Sequence, residues 1–449
     1  MNNFFNPGSV VIIGASHTKG KIGYEIANNF INGEYKGKVF FVNTNAEEIL
    51  GKKCYSSLKD IDEKIDLAVI STPAKTVPGI ISECIEKDVK AVIIISAGFS
   101  ETGEDGKILS EKIKKLSKNR IRIIGPNCLG IFDPISGVDT IFLPREKQGR
   151  PNTGSIAFIT QSGAVGASVL DWLSEENIGI SRFISYGNAL DIGESDLIEY
   201  LDGDDRTAVI AMYMEGVKDG RKFFEAAKKC KKPIITLKAG KTAEGSKAAS
   251  SHTAVLAGET KIYSGVFRQS GIIEAQTWEE LFDVAKAFAM QPRTSGRKLA
   301  IITDGGGFGV LAADEAGRNN LLLPEPTDEI KQSLELPAYA CLHNPIDLTG
   351  DATAERYEKV INACLSGCYD GVVVCLLFQV PTLDERIVDV IADAKKYGKT
   401  ILCCAVGGLY TKQMSKKLEE KGVPVFETPE RAVKVFADMA RWTPDSFGE

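Results

Sequence analysis

"GSIAFITQSGAVGASVLDWL", from Gly154 to Leu173, is an apolar run that breaks into a tight glycine-bearing turn and reopens as a helical pattern. Strand, turn and helix in that order begin a βαβ unit, and such units build parallel sheets covered by helices. "KLAIITDGGGFGVLAADEA", Lys298 to Ala316, opens in the same way. The likeness extends to the ends of the two segments. "SGIIEAQTWEELFDVAKAFA" closes one and "KGVPVFETPERAVKVFADMA" the other, with Gly271, Thr277 and Glu279 spaced like Gly422, Thr428 and Glu430. Between these ends, "AVIAMYMEG" and "KFFEAAKKCKKPIITLKAG" are echoed by "GVVVCLLFQ" and "RIVDVIADAKKYGKTILCCAVGG". Two copies of one flavodoxin-like α/β unit account for this repeat.

Ahead of the repeat, "SVVIIGAS", "KVFFVN", "DLAVIST", "KAVIIISAG" and "IRIIGPN" are short apolar runs, each followed by a polar or amphipathic stretch. Near-continuous apolar strands alternating with helical patterns predict a further parallel sheet, of Rossmann-like type. Pro, Gly and charge gather in "FLPREKQGRPNTG" (Phe142 to Gly154) and "MQPRTSGRK" (Met290 to Lys298), which read as linkers. The expected domains are therefore 1–142, 151–290 and 297–449. A chain of 449 residues accommodates three such domains.

With 54 basic and 60 acidic side chains, the chain carries a formal charge of −6. That balance recruits neither nucleic acid nor an anionic membrane. The longest apolar runs, such as "VVVCLLFQV", have the length of buried strands rather than of a membrane span. The 10 cysteines form no C-x-x-C pair, and "MNNFFNPGSV" lacks the pattern of a signal peptide. A cytoplasmic protein with reduced thiols is expected, and no metal site.

Ligands of open parallel sheets bind outside the carboxyl ends of the strands, so the loops there hold the candidate residues. The first, "GASHTKGKIG" (Gly14 to Gly23), joins a strand to a helix and suits a phosphate at the helix amino terminus. A dinucleotide fingerprint would require Gly where Ser16 and Lys19 stand, and an acid where Asn43 ends the second strand. A nicotinamide oxidoreductase is thereby disfavoured. Gly14, Ala15, Ser16, Gly23 and Asn43, with Lys19 and Lys21 to meet extra phosphate charge, fit coenzyme A better, although the lysines also read as ordinary surface residues. Pro73, Ser96 and Asn127 end other strands of this sheet and should face the same crevice. Cys128 beside them is a further candidate CoA contact, and such a cysteine is more often a small buried hydrophobe than a nucleophile.

Ser162 and Gly163, flanked by Gln161, and Gly306 and Gly307, flanked by Gly305, form two turns whose backbone N–H groups could cradle phosphate. Close helix packing is the alternative reading of such glycines. His252, one of 3 histidines, lies in "AGKTAEGSKAASSHTAVLAGET" (Ala239 to Thr260), a stretch of small residues that predicts a mobile loop, with a helical stretch beginning near Ala254. A neutral imidazole is a good nucleophile when a partner holds its other nitrogen, and Glu215 in "MYMEGVKDG" is the best-placed carboxylate. A polar residue near a helix start and a solvated strand-end acid are the plain alternatives.

"VVIIGAS", "GPNCLGIFDP", "ITQSGAVGASVLDW", "MYMEG", "KAGKTAEGSKAASSHTAVLAG" and "TDGGGFGV", in this order over essentially the whole chain, resemble the α subunit of ADP-forming acetyl-CoA synthetases, relatives of succinyl-CoA synthetase. The resemblance implies a CoA-binding domain followed by two flavodoxin-like ligase domains. It implies the reaction acyl-CoA + ADP + phosphate ⇌ acid + ATP + CoA, through an acyl phosphate and a phosphohistidine at His252 that Glu215 orients and stabilises. It also implies an ATP-grasp β subunit as partner, in an α2β2 assembly, with Mg²⁺ and ADP held on that partner. A freestanding acyl-CoA-binding or regulatory protein is the competing expectation.

Overall fold

The computed structural model describes residues 1–252, 260–334, 337 and 340–442, the side chains of 248–252, 260 and 333 excepted. Among the described residues, eighteen strands form three sheets. The first contains β1 (Ser9–Ile13), β2 (Lys38–Val42), β3 (Glu48–Ile49), β4 (Lys52–Tyr55), β5 (Leu67–Ile70), β6 (Ala91–Ile94) and β7 (Arg122–Ile124). Its order is β3-β4-β2-β1-β5-β6-β7, parallel throughout except for the β3/β4 pair. From β4 to β7 this is the Rossmann order, with the chain reversing direction across the sheet between β1 and β5. Every residue of β1, β5 and β6 is buried, as helices on both faces require.

The second sheet contains β8 (Gly130–Phe132), β9 (Thr153–Thr160), β10 (Ile180–Ser185), β11 (Val209–Met214), β12 (Ile234–Lys238) and β13 (Ile273–Ala275), in the order β13-β12-β11-β9-β10-β8. The third contains β14 (Leu299–Thr303), β15 (Ile346–Asp347), β16 (Gly371–Leu376), β17 (Thr400–Ala405) and β18 (Val425–Phe426), in the order β15-β14-β16-β17-β18. Setting aside β8, both sheets run 2-1-3-4-5, the flavodoxin order. The repeat in the sequence is thus a repeat of topology.

Two details depart from the linear reading. β8 precedes the first linker, yet it pairs antiparallel with β10, Phe132 opposite Phe183. The helix Trp278–Met290, which closes the second segment in sequence, groups with the third sheet: the compact units are Met1–Gln276 and Thr277–Gly448. The reason is chemical. Lys286 Nζ donates to Glu419 Oε1 and to the Val425 carbonyl, each at 2.7 Å, and Arg431 grips both oxygens of Asp283 at 2.7 and 2.8 Å. Leu281, Phe282, Val284 and Phe288 on the same helix are buried.

The segment expected to be a loop before His252 is instead a helix, Ala243–His252. Alanine leads the helix propensities, and "AEGSKAAS" supplies three of them after a threonine. Thr242 Oγ1 accepts from the Gly245 N–H at 3.0 Å and caps the first turn, with Glu244 suitably placed for the helix dipole. Residues 253–259, including Ala254, lie outside the described residues.

Candidate functional site

At the carboxyl end of β1 the chain turns through Gly14 at φ +93°. A Cβ on Gly14 would stand 2.9 Å from Ser71 Oγ, and one on Gly23 would stand 2.0 Å from the Gly14 carbonyl oxygen. Only glycines let the helix Ile22–Asn32 approach this loop so closely. Ala15 is buried, and its carbonyl accepts from Asn43 Nδ2 at 2.7 Å, while Asn43 Oδ1 accepts from the Asn45 N–H at 2.8 Å. Asn43 therefore braces the loop with both ends of its amide. Ser16 Oγ accepts from the Thr18 N–H at 3.1 Å. Lys19 pairs on the surface with Glu146 at 3.3 Å, a contact of little energetic weight, and Lys21 directly precedes the helix.

Pro73, Ser96 and Asn127 end neighbouring strands. Ser96 Oγ donates to the Thr72 carbonyl, and the Asn127 N–H donates to the Ser96 carbonyl at 2.9 Å. Burial pushes the Cys128 thiol up to about 12, which favours the protonated thiol near neutrality.

Across from these loops, in the same compact unit, the second sheet presents the turn after β9. Ser162 Oγ accepts from the Val165 N–H at 3.3 Å and caps the helix Gly163–Glu175. Gln161 Oε1 accepts from the backbone N–H groups of Glu215 and Gly216 at 2.7 and 3.1 Å. Its side-chain oxygen thus fixes the Glu215 turn and is not turned to a ligand. Lys238 at the end of β12 is buried; desolvation lowers its pKa, and the charge of Glu215 opposes that shift. A cavity of about 470 Å³ joins the two sets of loops: Ser96, Asn127 and Cys128 line it from one side, and Gln161, Ser162, Gly163 and Glu215 from the other.

The turn after β14 copies this construction. Thr303 Oγ1 donates to the Gly305 carbonyl and accepts from the Gly305 N–H, both at 3.0 Å, as Thr160 does with Ser162 at 2.9 and 3.2 Å. Asp304 stands where Gln161 stands, and its carboxylate accepts from the Leu377 N–H at 3.0 and 3.2 Å. Leu377 occupies the place of Glu215, each being two residues beyond the strand residue that pairs with the turn's threonine. Gly305, Gly306 and Gly307 lead into the helix Gly306–Arg318. A Cβ on Gly306 would come within 2.9 Å of Asp347 Oδ2, so this copy carries two acids at its mouth.

Residues 8–134 match the family described as "CoA binding domain", and residues 153–288 the "Succinyl-CoA ligase like flavodoxin domain". The α subunit of acetate–CoA ligase (ADP-forming) I from Pyrococcus furiosus is 41% identical over 98% of this chain and 97% of its own length. The chain belongs to the ADP-forming acetate–CoA ligase α-subunit family. The acetate–CoA ligase (ADP-forming) of Methanocaldococcus jannaschii is 42% identical over 97% of the chain, which spans only 62% of that longer protein. The solved apo structure of the Ca. Korarchaeum cryptofilum "dinucleotide forming Acetyl-coenzyme A synthetase 1" superposes with a TM-score of 0.91 at 34% identity, covering 98% of this chain and 97% of its own.

As a ligase α subunit, the protein takes CoA as a substrate and works with a partner subunit. The helix Ala243–His252 ends on His252, whose side chain lies outside the described residues. Two cavity residues escape a reading of motifs. Asn188 Oδ1 accepts from Asn127 Nδ2 at 3.3 Å, and its Nδ2 donates to Ser100 Oγ at 3.4 Å and to Glu101. Lys218 Nζ donates to the Asn188 and Ala189 carbonyls at 2.6 and 2.9 Å. Burial works to raise the Glu101 pKa, but hydrogen bonds from the Gly98 N–H, Asn188 and the Phe99 N–H outweigh it, and the carboxyl sits below its ordinary value. The only signal for these residues was position: both follow strands of the sheet edge that carries Gln161 and Glu215.

Proposed function

We propose that this α subunit converts a CoA thioester and phosphate into acid and CoA through a phosphohistidine at His252. A phosphate oxygen attacks the thioester carbonyl carbon, the C–S bond breaks, and CoA leaves as the thiol with an acyl phosphate behind. An imidazole nitrogen of His252 then attacks phosphorus, the P–O bond to the acyl group breaks, and the acid leaves as carboxylate. Transfer to the terminal oxygen of ADP breaks the N–P bond and regenerates the imidazole. The observation that carries this reading is the single cavity shared by the loops of Ser96 and Asn127 and the turn of Ser162, Gly163 and Glu215.

The Ser96 and Asn127 loops that line the cavity, together with Gly14, Ala15, Ser16, Lys19, Lys21, Gly23, Asn43 and Pro73, which lie outside its lining, form the CoA side. The free N–H groups at the start of the helix Gly163–Glu175 hold phosphate, and Glu215 takes the imidazole proton side and stabilises its positive charge. Gly305, Gly306 and Gly307 hold phosphate at a later stage. We assign Mg²⁺ and ADP to an ATP-grasp β subunit in an α2β2 assembly, a reading supported by relatives that are named as α subunits. The longer relatives, of which this chain spans 62–64%, have the extra length for such a domain. The location we assign is the cytoplasm; among the described residues no helix is long and apolar enough to cross a membrane.

The test is incorporation of labelled phosphate from acetyl-CoA and phosphate. The parent chain should acquire an acid-labile, base-stable label, His252→Ala none, and Glu215→Gln a label formed at least tenfold more slowly. Equal labelling of His252→Ala overturns the assignment.

A further inference from the structure

The cavity has a second face that the phosphate and CoA chemistry leaves unused. Around its polar floor stand Phe142, Leu143, Ala164, Ala167, Ile95 and Leu129. Phe142 and Leu143 are only half-buried and Ala164 is exposed, so this apolar surface is covered by no other part of the described chain. Ala164 directly follows Gly163, and Ala167 lies three residues on, on the same face of the helix Gly163–Glu175. The two methyl groups thus stand beside the start of that helix, and the Leu129 Cβ would lie 3.7 Å from a Cβ placed on Gly163.

We propose that the acyl group of the thioester lies against Phe142, Leu143, Ala164 and Ala167, and that these four side chains set the length of acyl chain the enzyme accepts. This rests on the reading that phosphate attacks the thioester within the cavity. Phosphate at Ser162 and Gly163 must stand within reach of the carbonyl carbon, with the CoA sulfur on the Ser96 and Asn127 side. The apolar part of the lining then receives the acyl carbon chain, along the helix face toward the linker residues Phe142 and Leu143. Small residues at 164 and 167 leave that path open.

The apolar wall carries no charged side chain and favours plain hydrocarbon chains over dicarboxylic ones.

The experiment uses the full chain with its β subunit and measures kcat/KM for acetyl-CoA, butanoyl-CoA and hexanoyl-CoA. The parent should turn over butanoyl-CoA within about tenfold of acetyl-CoA. A methylene in an apolar pocket discriminates by about 10–200-fold, so Ala164→Val and Ala167→Val should each cut the butanoyl-to-acetyl ratio at least tenfold. Phe142→Ala should raise the hexanoyl-to-acetyl ratio by a similar factor. Where an alanine replacement lowers the thermal midpoint, Phe142→Leu supplies the same ratio from a half-buried position. Ratios within about twofold of the parent in every folded variant overturn the proposal. If the parent gives no phosphohistidine label from any thioester, the underlying reading fails; label with unchanged ratios sinks the acyl wall alone.

Discussion

At Asp304 a carboxyl group is buried at a strand end, and burial raises its pKa to about 6 although hydrogen bonds from the Leu377 N–H, its own backbone and Tyr357 pull it down; Asp347 adds to the rise. The second flavodoxin-like unit therefore carries a titrating group where the first has the neutral Gln161. An acid whose folded pKa exceeds its unfolded value near 3.8 binds more protons folded than unfolded. Stability consequently falls as pH rises from about 4 through about 6, by about 3 kcal/mol for a shift of roughly two units at 1.36 kcal/mol each. Asp304→Asn keeps an oxygen for the Leu377 N–H and removes the charge. Urea unfolding at pH 4.5 and pH 7 should show the variant gaining on the parent at the higher pH, and a parent-to-variant difference that stays constant between them would refute the assignment. Nothing in "ITDGGG" marks Asp304 as buried and acid-shifted, because that depends on Tyr357 and Leu377, far along the chain. By contrast, the glycines of "GASHTKGKIG" were legible, since a helix start that close to a strand end admits no side chain.

Among the elements, the helix Ala243–His252 is the one whose form bears most on the chemistry. The expectation of a mobile loop weighed the small size of its residues and overlooked that alanine is the best helix former and that Thr242 supplies a cap. A short helix ending on His252 holds the backbone of that residue in a defined direction. Losing an N-cap threonine costs about 1 kcal/mol, so Thr242→Ala should fray this helix and slow phosphohistidine formation several-fold while leaving the global thermal midpoint within a degree or two. Hydrogen exchange across residues 243–252 reads the fraying directly, and unchanged protection there would refute it. The paired turns after β9 and β14 were legible at this scale because both sit in a strand-turn-helix pattern of identical spacing. Their differing acids, Gln161 with Glu215 against Asp304 with Leu377, became comparable only once strand pairing set the register.

For the whole molecule, three sheets followed from alternating apolar runs and the repeat, whereas the grouping of the helix Trp278–Met290 with the third sheet did not. The helix Trp278–Met290 is held there by Lys286 and Asp283 through Glu419 and Arg431, and by the burial of Leu281, Phe282, Val284 and Phe288. A chain ending at Gln276 should therefore be more soluble than one ending at Gly296, which would carry the helix without the sheet it packs on. Size-exclusion chromatography of the two fragments, with CoA binding by calorimetry as a check of folding, tests this. A well-behaved 1–296 fragment and an aggregating 1–276 fragment would reverse it.

The same helix has a consequence during synthesis. It leaves the ribosome directly behind the compact unit Met1–Gln276, yet its last partner, the helix Pro429–Arg441, emerges roughly 150 residues later. At about 5–20 residues per second that is on the order of ten to thirty seconds in which Leu281, Phe282 and Phe288 have no sheet to cover them. The nascent chain thus presents, for that interval, the kind of apolar segment on which chaperones act.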